Sequence, residues 1–309
     1  MLALEDLRNF VEVVENGGFQ RAATRLGVSK SVVSRRVARL EAELGARLLS
    51  RTTRGISPTE AGLDFKARSE RILAAVEEAR DAIASEVGTV AGRLRLSLPL
   101  SFGVRHVAPV LAELARRHPG LEMDVSYDDR PVDLVAERFD VAVRIGTLRD
   151  STLVARRLAS VRSVLVASPG YLSEHGRPET PDDVARHECL AYTGGVETEW
   201  KFRAGKRLIS IRPQGRLRAD SGDAILQWAR AGLGMAMLPS FLLADAIESG
   251  DVEPLLTDYP APEFGIYAVR PPGADVPRKV RVLIDALVQR FGGEPDWDRC
   301  LMAVRKAGS

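Results

Sequence analysis

The chain is 309 residues long, 45% hydrophobic and 28% charged, with a net charge of +2. That balance describes an ordinary soluble globular protein with material for two or three domains, and it excludes a low-complexity or short-repeat chain. Cys189 and Cys300 form no CxxC pair and suggest no disulfide framework; the N-terminus lacks the basic segment and apolar core of a signal peptide, and no apolar run is long enough to cross a bilayer, so the expectation is a cytoplasmic protein without a membrane partner.

In chain order, Leu4, Leu7, Phe10, Val11 and Val14 mark a first helix, ended by Gly17 and Gly18. Residues 19–40 then read as two helices joined by a tight turn. Ala22, Ala23 and Leu26 give the earlier helix a small apolar face. Gly27 suits a left-handed stop, and Ser29 caps the later helix. Val28 and Val33 have the spacing of a hydrophobic staple. Val33, Val37, Leu40 and Leu44 recur at i, i+4, i+7 and i+11 as one buried stripe. Lys30, Ser31, Ser34 and Arg35 lie on another side. That face is short, polar and basic and starts at the helix N-terminus, as expected of a helix entering a major groove. Between residues 20 and 58 stand nine basic residues (Arg21, Arg25, Lys30, Arg35, Arg36, Arg39, Arg47, Arg51, Arg54) against Glu41 and Glu43. On a near-neutral chain such a patch is the footprint of phosphate binding. A solvated basic helix is the plainer alternative.

Residues 47–58, rich in Gly, Pro and Thr, suit a two-stranded wing. Arg51, Thr53 and Arg54 would then lie along the DNA backbone, positioning rather than specifying; the alternative is an exposed loop paired with Glu60. Thr59 caps a long helix running to about Val87. Phe65, Ser69, Ile72, Val76, Ala79, Ile83 and Glu86 alternate along it by four and three, a short heptad seam. Phe65, Ile72, Val76, Ala79 and Ile83 are the expected dimerisation residues, since a second copy would bury the seam and set two recognition helices on a dyad. Packing on the chain's own second domain is the alternative.

The character changes after residues 88–92, a hinge. Strands at 93–98, 121–127 and 139–145 alternate with helices at about 101–118 and 132–137, the signature of an α/β parallel sheet. A second unit of the same kind begins near Ser163. It holds a capping box at Thr180 and Asp183, a hairpin around Gly205, a helix capped by Asp220 or Ser221, and a buried strand at 232–239. A return strand at 264–269 and a last helix at 276–291 close the chain.

The N-terminal residues resemble the LysR-type transcriptional regulators. The likeness is carried by Phe10, Val14, Gly18-Phe19, Arg21-Ala22-Ala23, Leu26-Gly27-Val28-Ser29, Val33-Ser34-Arg35 and Leu40-Glu41. It continues through Leu44-Gly45, Leu48-Leu49, Arg51, Arg54 and Thr59-Glu60-Ala61-Gly62. Two positions depart from the family pattern: Gln20 stands where Ser or Thr usually caps the second helix, and Lys30 where Gln is frequent. The resemblance implies an N-terminal winged helix-turn-helix (1–58), a linker and dimerisation helix (59–87), a hinge (88–92) and a two-lobed effector domain like a periplasmic binding protein. Lobe I would comprise 93–161 with 267–309, and lobe II 162–266. The implied partners are double-stranded operator DNA, a small-molecule effector, a second or further copies in a homodimer or homotetramer, and RNA polymerase. The full set expected at DNA is Arg21, Lys30, Ser31, Ser34, Arg35, Arg36, Arg39, Arg51, Thr53 and Arg54.

Ligands of open α/β sheets collect beyond the carboxyl ends of strands, often at helix N-termini. The effector-binding candidates there are Ser101, Phe102, Asp128, Arg144, Tyr192, Asp220 and Ser221. The family suggests a ligand carboxylate at Ser101, held further by Arg144. Plainer roles stand beside these: Arg144 paired with Asp129 or Asp140, Ser101 as a cap, Asp220 and Asp223 as caps. No Gly-x-Ser-x-Gly or Walker loop occurs, and His106, His118, His175 and His187 lack metal-ligand spacing. No catalysis, cofactor or metal is therefore expected. A solute-binding protein and an enzyme on a similar two-lobed fold remain the competing classes.

Overall fold

A computed structural model describes residues 3–52, 55–86, 90–147, 151–194, 199–273, 276–293 and 295–299. The expected wing contacts Thr53 and Arg54 lie outside these residues, and the side chains of Arg51 and Ile83 are likewise outside the description. The chain divides into two compact units, 1–88 and 89–309.

The first unit holds α1 (Leu4–Glu15), α2 (Phe19–Leu26), α3 (Lys30–Leu44), the antiparallel pair β1 (Leu49–Thr52) and β2 (Gly55–Pro58), and α4 (Glu60–Glu86). Leu7, Phe10, Val11, Ala22, Ala23, Val33, Val37, Leu40 and Leu48 make one core. Gly27 and Gly45 close α2 and α3 in the left-handed region, as their lack of a Cβ permits. Two local expectations are corrected. The α2 cap is Gly18, with no side-chain bond, and Gln20 sits exposed inside the helix. Val28 is 40% exposed while Val33 is buried, so no hydrophobic staple forms. Phe65 is also reassigned: its ring lies 5.8 Å from that of Phe10, against the winged-helix core rather than on a free seam. Ile72, 48% exposed, and exposed Ala79 are left outward, with Val76 half-buried.

Glu41 and Gly62 show why this segment needs its residues. Glu41 Oε1 accepts the backbone N–H groups of Leu48 and Leu49 at 2.7 and 3.0 Å, fixing the start of the wing. Thr59 caps α4 by accepting the Gly62 N–H at 3.0 Å. A Cβ at Gly62 would stand 2.0 Å from the Leu48 carbonyl oxygen, so only glycine lets α4 lie this close to the wing.

The second unit holds two five-stranded sheets. The first runs β4-β3-β5-β14-β6, from β3 (Gly92–Leu98), β4 (Leu121–Tyr127), β5 (Val141–Gly146), β6 (Val154–Val161) and β14 (Phe264–Arg270). A helical run of α5 (Leu100–Phe102), a π-turn (Gly103–Val107) and α6 (Ala108–Arg117) joins β3 to β4. The second sheet runs β11-β8-β12-β7-β13. Its strands are β7 (Ser163–Ala167), β8 (Cys189–Tyr192), β11 (Arg218–Ala219), β12 (Met235–Pro239) and β13 (Glu253–Leu255). The hairpin β9 (Trp200–Ala204) and β10 (Arg207–Ile211) stands apart as its own two-stranded sheet. Helices α7 (Pro169–His175), α8 (Gly222–Arg230), α9 (Ser240–Glu248) and α10 (Arg278–Phe291) complete the unit.

The sheets are mixed rather than wholly parallel. β3 pairs parallel with β4 and β5, but β14 pairs antiparallel with both β5 and β6. In the other sheet β8 pairs parallel with β11 and β12, and β7 antiparallel with β12 and β13. The antiparallel strands are those beside the two crossings between lobes. β14 enters the first sheet whole, from Phe264. The helix expected at 132–137 is only a turn. Period-two alternation sorts the second sheet: Val166 and Leu190 face the main core, Leu165 and Cys189 a separate one under the hairpin.

Candidate nucleic-acid and effector sites

Helix α3 offers the nucleic-acid face. Val33, Val37 and Leu40 hold one side in the core, which leaves Lys30, Ser31 and Arg35 exposed and Ser34 half-buried on the other. Ser29 Oγ accepts the Val32 N–H at 3.4 Å and lies 2.9 Å from Ser31 Oγ, so Ser31 also braces the cap. Among the described residues, Arg21, Lys30 and Arg35 have no acidic partner, which keeps their charge available to phosphate or a base edge. Arg36 and Arg39 are used differently from the expectation. Arg36 pairs with Glu5. Arg39 forks onto Asp6, with Nε 3.0 Å from Oδ2 and Nη2 2.6 Å from Oδ1. Both tie α3 back to α1 and set its angle, so they are scaffold rather than reading residues.

The effector candidates gather where the sheets' strand ends face one another. A cavity of about 370 Å³ opens there, lined by Leu100, Tyr127, Asp128, Asp129, Arg130, Pro131, Thr193, Gly194 and Asp220. Of the expected residues only Asp128 and Asp220 reach its wall. Tyr192 and Ser101 stand behind it as bridges between the lobes. Ser101 Oγ donates to Asp223 Oδ2 at 2.5 Å, and Arg105 Nε donates to Asp223 Oδ1 at 3.0 Å. Tyr192 Oη donates to Asp129 Oδ2 at 3.1 Å, while Asp129 Oδ1 accepts the Leu100 N–H at 3.0 Å. The Ser101 hydroxyl expected to receive a ligand anion, and the first amide of its helix at Leu100, are thus held by two of the chain's own carboxylates.

The electrostatics follow from these bonds. Burial raises the Asp223 pKa, but the bonds from Ser101 and Arg105 outweigh it and leave the carboxyl below its ordinary range. Burial, then the charge of Asp129 and the bond to it, push the Tyr192 phenol well up, so it stays a donor. Burial lowers the Arg144 pKa against the pull of Asp129, Glu137 and Asp128. Arg144 makes neither ion pair expected of it. Its guanidinium donates to Ser97 Oγ at 3.1 Å and the Val143 carbonyl at 2.9 Å, and Asp140 instead accepts the Arg95 N–H at 2.7 Å.

Two expected ligands prove structural. Phe102 is fully buried in a cluster of rings, 5.1 Å from Phe241 and 5.3 Å from Phe291. Ser221 caps α8 by accepting the Ala224 N–H at 3.3 Å. Leu100, Arg130 and Thr193 were not legible as lining residues. Arg105, which bonds Asp223 without lining the cavity, was missed as well, although it falls at i+4 from Ser101 and so shares its helical face. No group of three His, Cys, Asp or Glu side chains is gathered as for a metal ion among the described residues, and no described helix is long and apolar enough to cross a membrane.

A winged helix-turn-helix ahead of a two-lobed α/β unit with a cleft defines a ligand-responsive transcription regulator. Residues 4–63 match the family described as bacterial regulatory helix-turn-helix protein, lysR family, and residues 88–292 match the LysR substrate binding domain. The chain belongs to the LysR family of DNA-binding transcriptional regulators. It is 37% identical over 295 residues to the HTH-type transcriptional regulator PtxR of Pseudomonas aeruginosa, covering 95% of each chain. Among solved structures it is similar to CrgA, a LysR-type regulator from Neisseria meningitidis (33% identity, 94% and 99% of the two chains, TM-score 0.62). It is also similar to AphB, the Vibrio cholerae virulence activator (28%, 94% and 99%, TM-score 0.63). Proteins of this family bind operator DNA and small-molecule effectors and form oligomers.

Proposed function

We propose that this chain is a cytoplasmic, non-catalytic regulator that reads a dyad-symmetric operator with Lys30, Ser34 and Arg35, Ser31 bracing the helix cap. The carrying observation is the division of α3: Val33, Val37 and Leu40 are buried while Lys30 and Arg35 project without acidic partners among the described residues. Arg21, Arg51, Thr53 and Arg54 grip phosphates around that helix. Residues 59–87 form the dimerisation helix through Ile72, Val76, Ala79 and Ile83, and RNA polymerase is the partner of the DNA-bound oligomer. The effector is a small carboxylate that enters the interlobe cavity, competes with Asp129 and Asp223 for the Leu100 amide and Ser101 hydroxyl, and draws on the Arg144 charge. Freeing those aspartates changes the angle between lobes, provided the two arrangements differ in effector affinity.

A footprint of the purified protein on DNA upstream of its own gene, across a salt series, tests the DNA reading. Protection of a dyad-symmetric site that survives excess nonspecific DNA and weakens with salt is the expected result. Binding that no competitor sequence can distinguish, there or in a genome-wide selection, would remove α3 as a reading helix.

A further inference from the structure

A second cavity, of about 450 Å³, lies on the hairpin side of lobe II and away from the interlobe cleft. Its volume falls in the roughly 300–1,000 Å³ range of small-molecule sites. Both connections between the lobes line it. Arg162 is the single residue between β6 of lobe I and β7 of lobe II, and 256–263 is the return from β13 to β14. Arg162 Nε donates to Glu263 Oε1 at 2.8 Å, so the two crossings are joined across the rim. The hairpin is tied to the same place, since the Arg203 N–H donates to the Pro260 carbonyl at 3.0 Å. Leu256, at the start of the return, is held at φ 50°, a left-handed setting unfavourable for leucine.

The wall chemistry is specific. Phe202 and Leu255 are buried and Met237 half-buried, which gives an apolar floor. On the rim Glu263 is matched by Arg162, whereas Arg203 has no acidic partner among the described residues. An apolar floor under one uncompensated guanidinium suits a flat or chain-like apolar body with an anionic head.

We propose that this hinge cavity is a second ligand site, for a small amphiphilic anion, and that its occupancy fixes the interlobe angle independently of the cleft. The consequence for transcription rests on the regulator reading above. The binding itself is scored without DNA, so the two fail separately.

The probe is 1-anilinonaphthalene-8-sulfonate, a fluorescent amphiphilic anion, titrated into the purified full-length protein. One saturable site per chain is expected. Met237→Trp, which fills the cavity, should abolish it, and Arg203→Glu should weaken it about tenfold, roughly 1.4 kcal/mol. Thr193→Trp, in the interlobe cleft, should leave it unchanged. Arg203 is exposed, so its variant decides the matter if Met237→Trp does not fold. No saturable binding, binding indifferent to Arg203→Glu, or binding lost to Thr193→Trp overturns the assignment. Saturation should also slow amide exchange in 162–165 and 260–263; unchanged exchange there overturns the hinge role.

Discussion

The Ser101 hydroxyl and the Asp223 carboxylate meet at 2.5 Å across the effector cleft, 122 residues apart in sequence. Ser101 is the second residue of the helical run after β3 in lobe I, and Asp223 lies in the first turn of α8 in lobe II. With Arg105 on the other carboxylate oxygen, this bridge holds the lobes together from both sides of one acid.

Asp223→Ala should therefore loosen the lobes without unfolding them. The bridge is partly exposed, so its contribution is about 1 kcal/mol after screening. Amide exchange across the π-turn (Gly103–Val107) should rise roughly fivefold, and carboxylate effectors, relieved of their competitor, should bind more tightly. Exchange that stays at the parent rate would assign the lobe pairing to the buried core alone.

Arg35→Ala tests the reading face. Loss of a bidentate base contact should cost about 1–3 kcal/mol and relax preference at one base pair, whereas Arg21→Ala should weaken all sequences alike and reduce the salt slope. A selection of operator variants against each mutant separates the two patterns; equal behaviour of both would show that α3 reads no base there.

Ile72→Glu should weaken self-association, because a charge would then sit on the outward apolar side of α4. Sedimentation velocity at micromolar chain concentration reads the shift toward monomer. Phe65→Glu gives a different result, a less stable winged helix, since Phe65 packs against Phe10.

Gly62→Ala should destabilise the winged helix by about 1–3 kcal/mol, because the added methyl group meets the Leu48 carbonyl and overpacks the contact. Thermal unfolding of an N-terminal fragment beside the full chain places the loss in the first unit.

Acid should act at Asp183. The backbone N–H of Thr180, then the Thr180 hydroxyl, the Glu179 N–H and Arg186 hold its pKa down to about 2 despite burial, from an ordinary value near 4. A depressed folded-state value means that this contribution is complete above about pH 4 and fades as pH falls towards 2. Asp183→Asn should flatten that limb of the stability curve, which chemical denaturation at pH 2 to 5 measures.

Much of the DNA-binding unit was legible because its signals are local. Gly27, Ser29, Gly45 and Thr59 end or cap helices within a few residues, and the stripe Val33, Val37, Leu40 repeats at helical spacing. The errors there came from tertiary choices. Phe65 reads as a seam residue until α4 is laid on α1, and Arg36 and Arg39 read as phosphate contacts until Glu5 and Asp6 meet them. The effector cleft was less legible for the same reason at longer range. Phe102 was drawn into a ring cluster by Phe241, Phe291 and Trp297 from the far end of the chain. Asp129 and Asp223 found partners in the opposite lobe, which no periodicity encodes.

The position of β14 has a consequence for the order of assembly. It stands between β5 and β6, and among the described residues β6 has no other strand beside it. Lobe II is one continuous stretch of chain, complete once β13 has been made, whereas lobe I waits for a strand made later still. On the ribosome lobe II should close first, leaving β6 as an open edge until β14 has emerged. Truncated chains ending at 255, released from the ribosome, should protect β7 and β12 from proteolysis but not β6, and any lesion that delays β14 exposes that edge to wrong pairing.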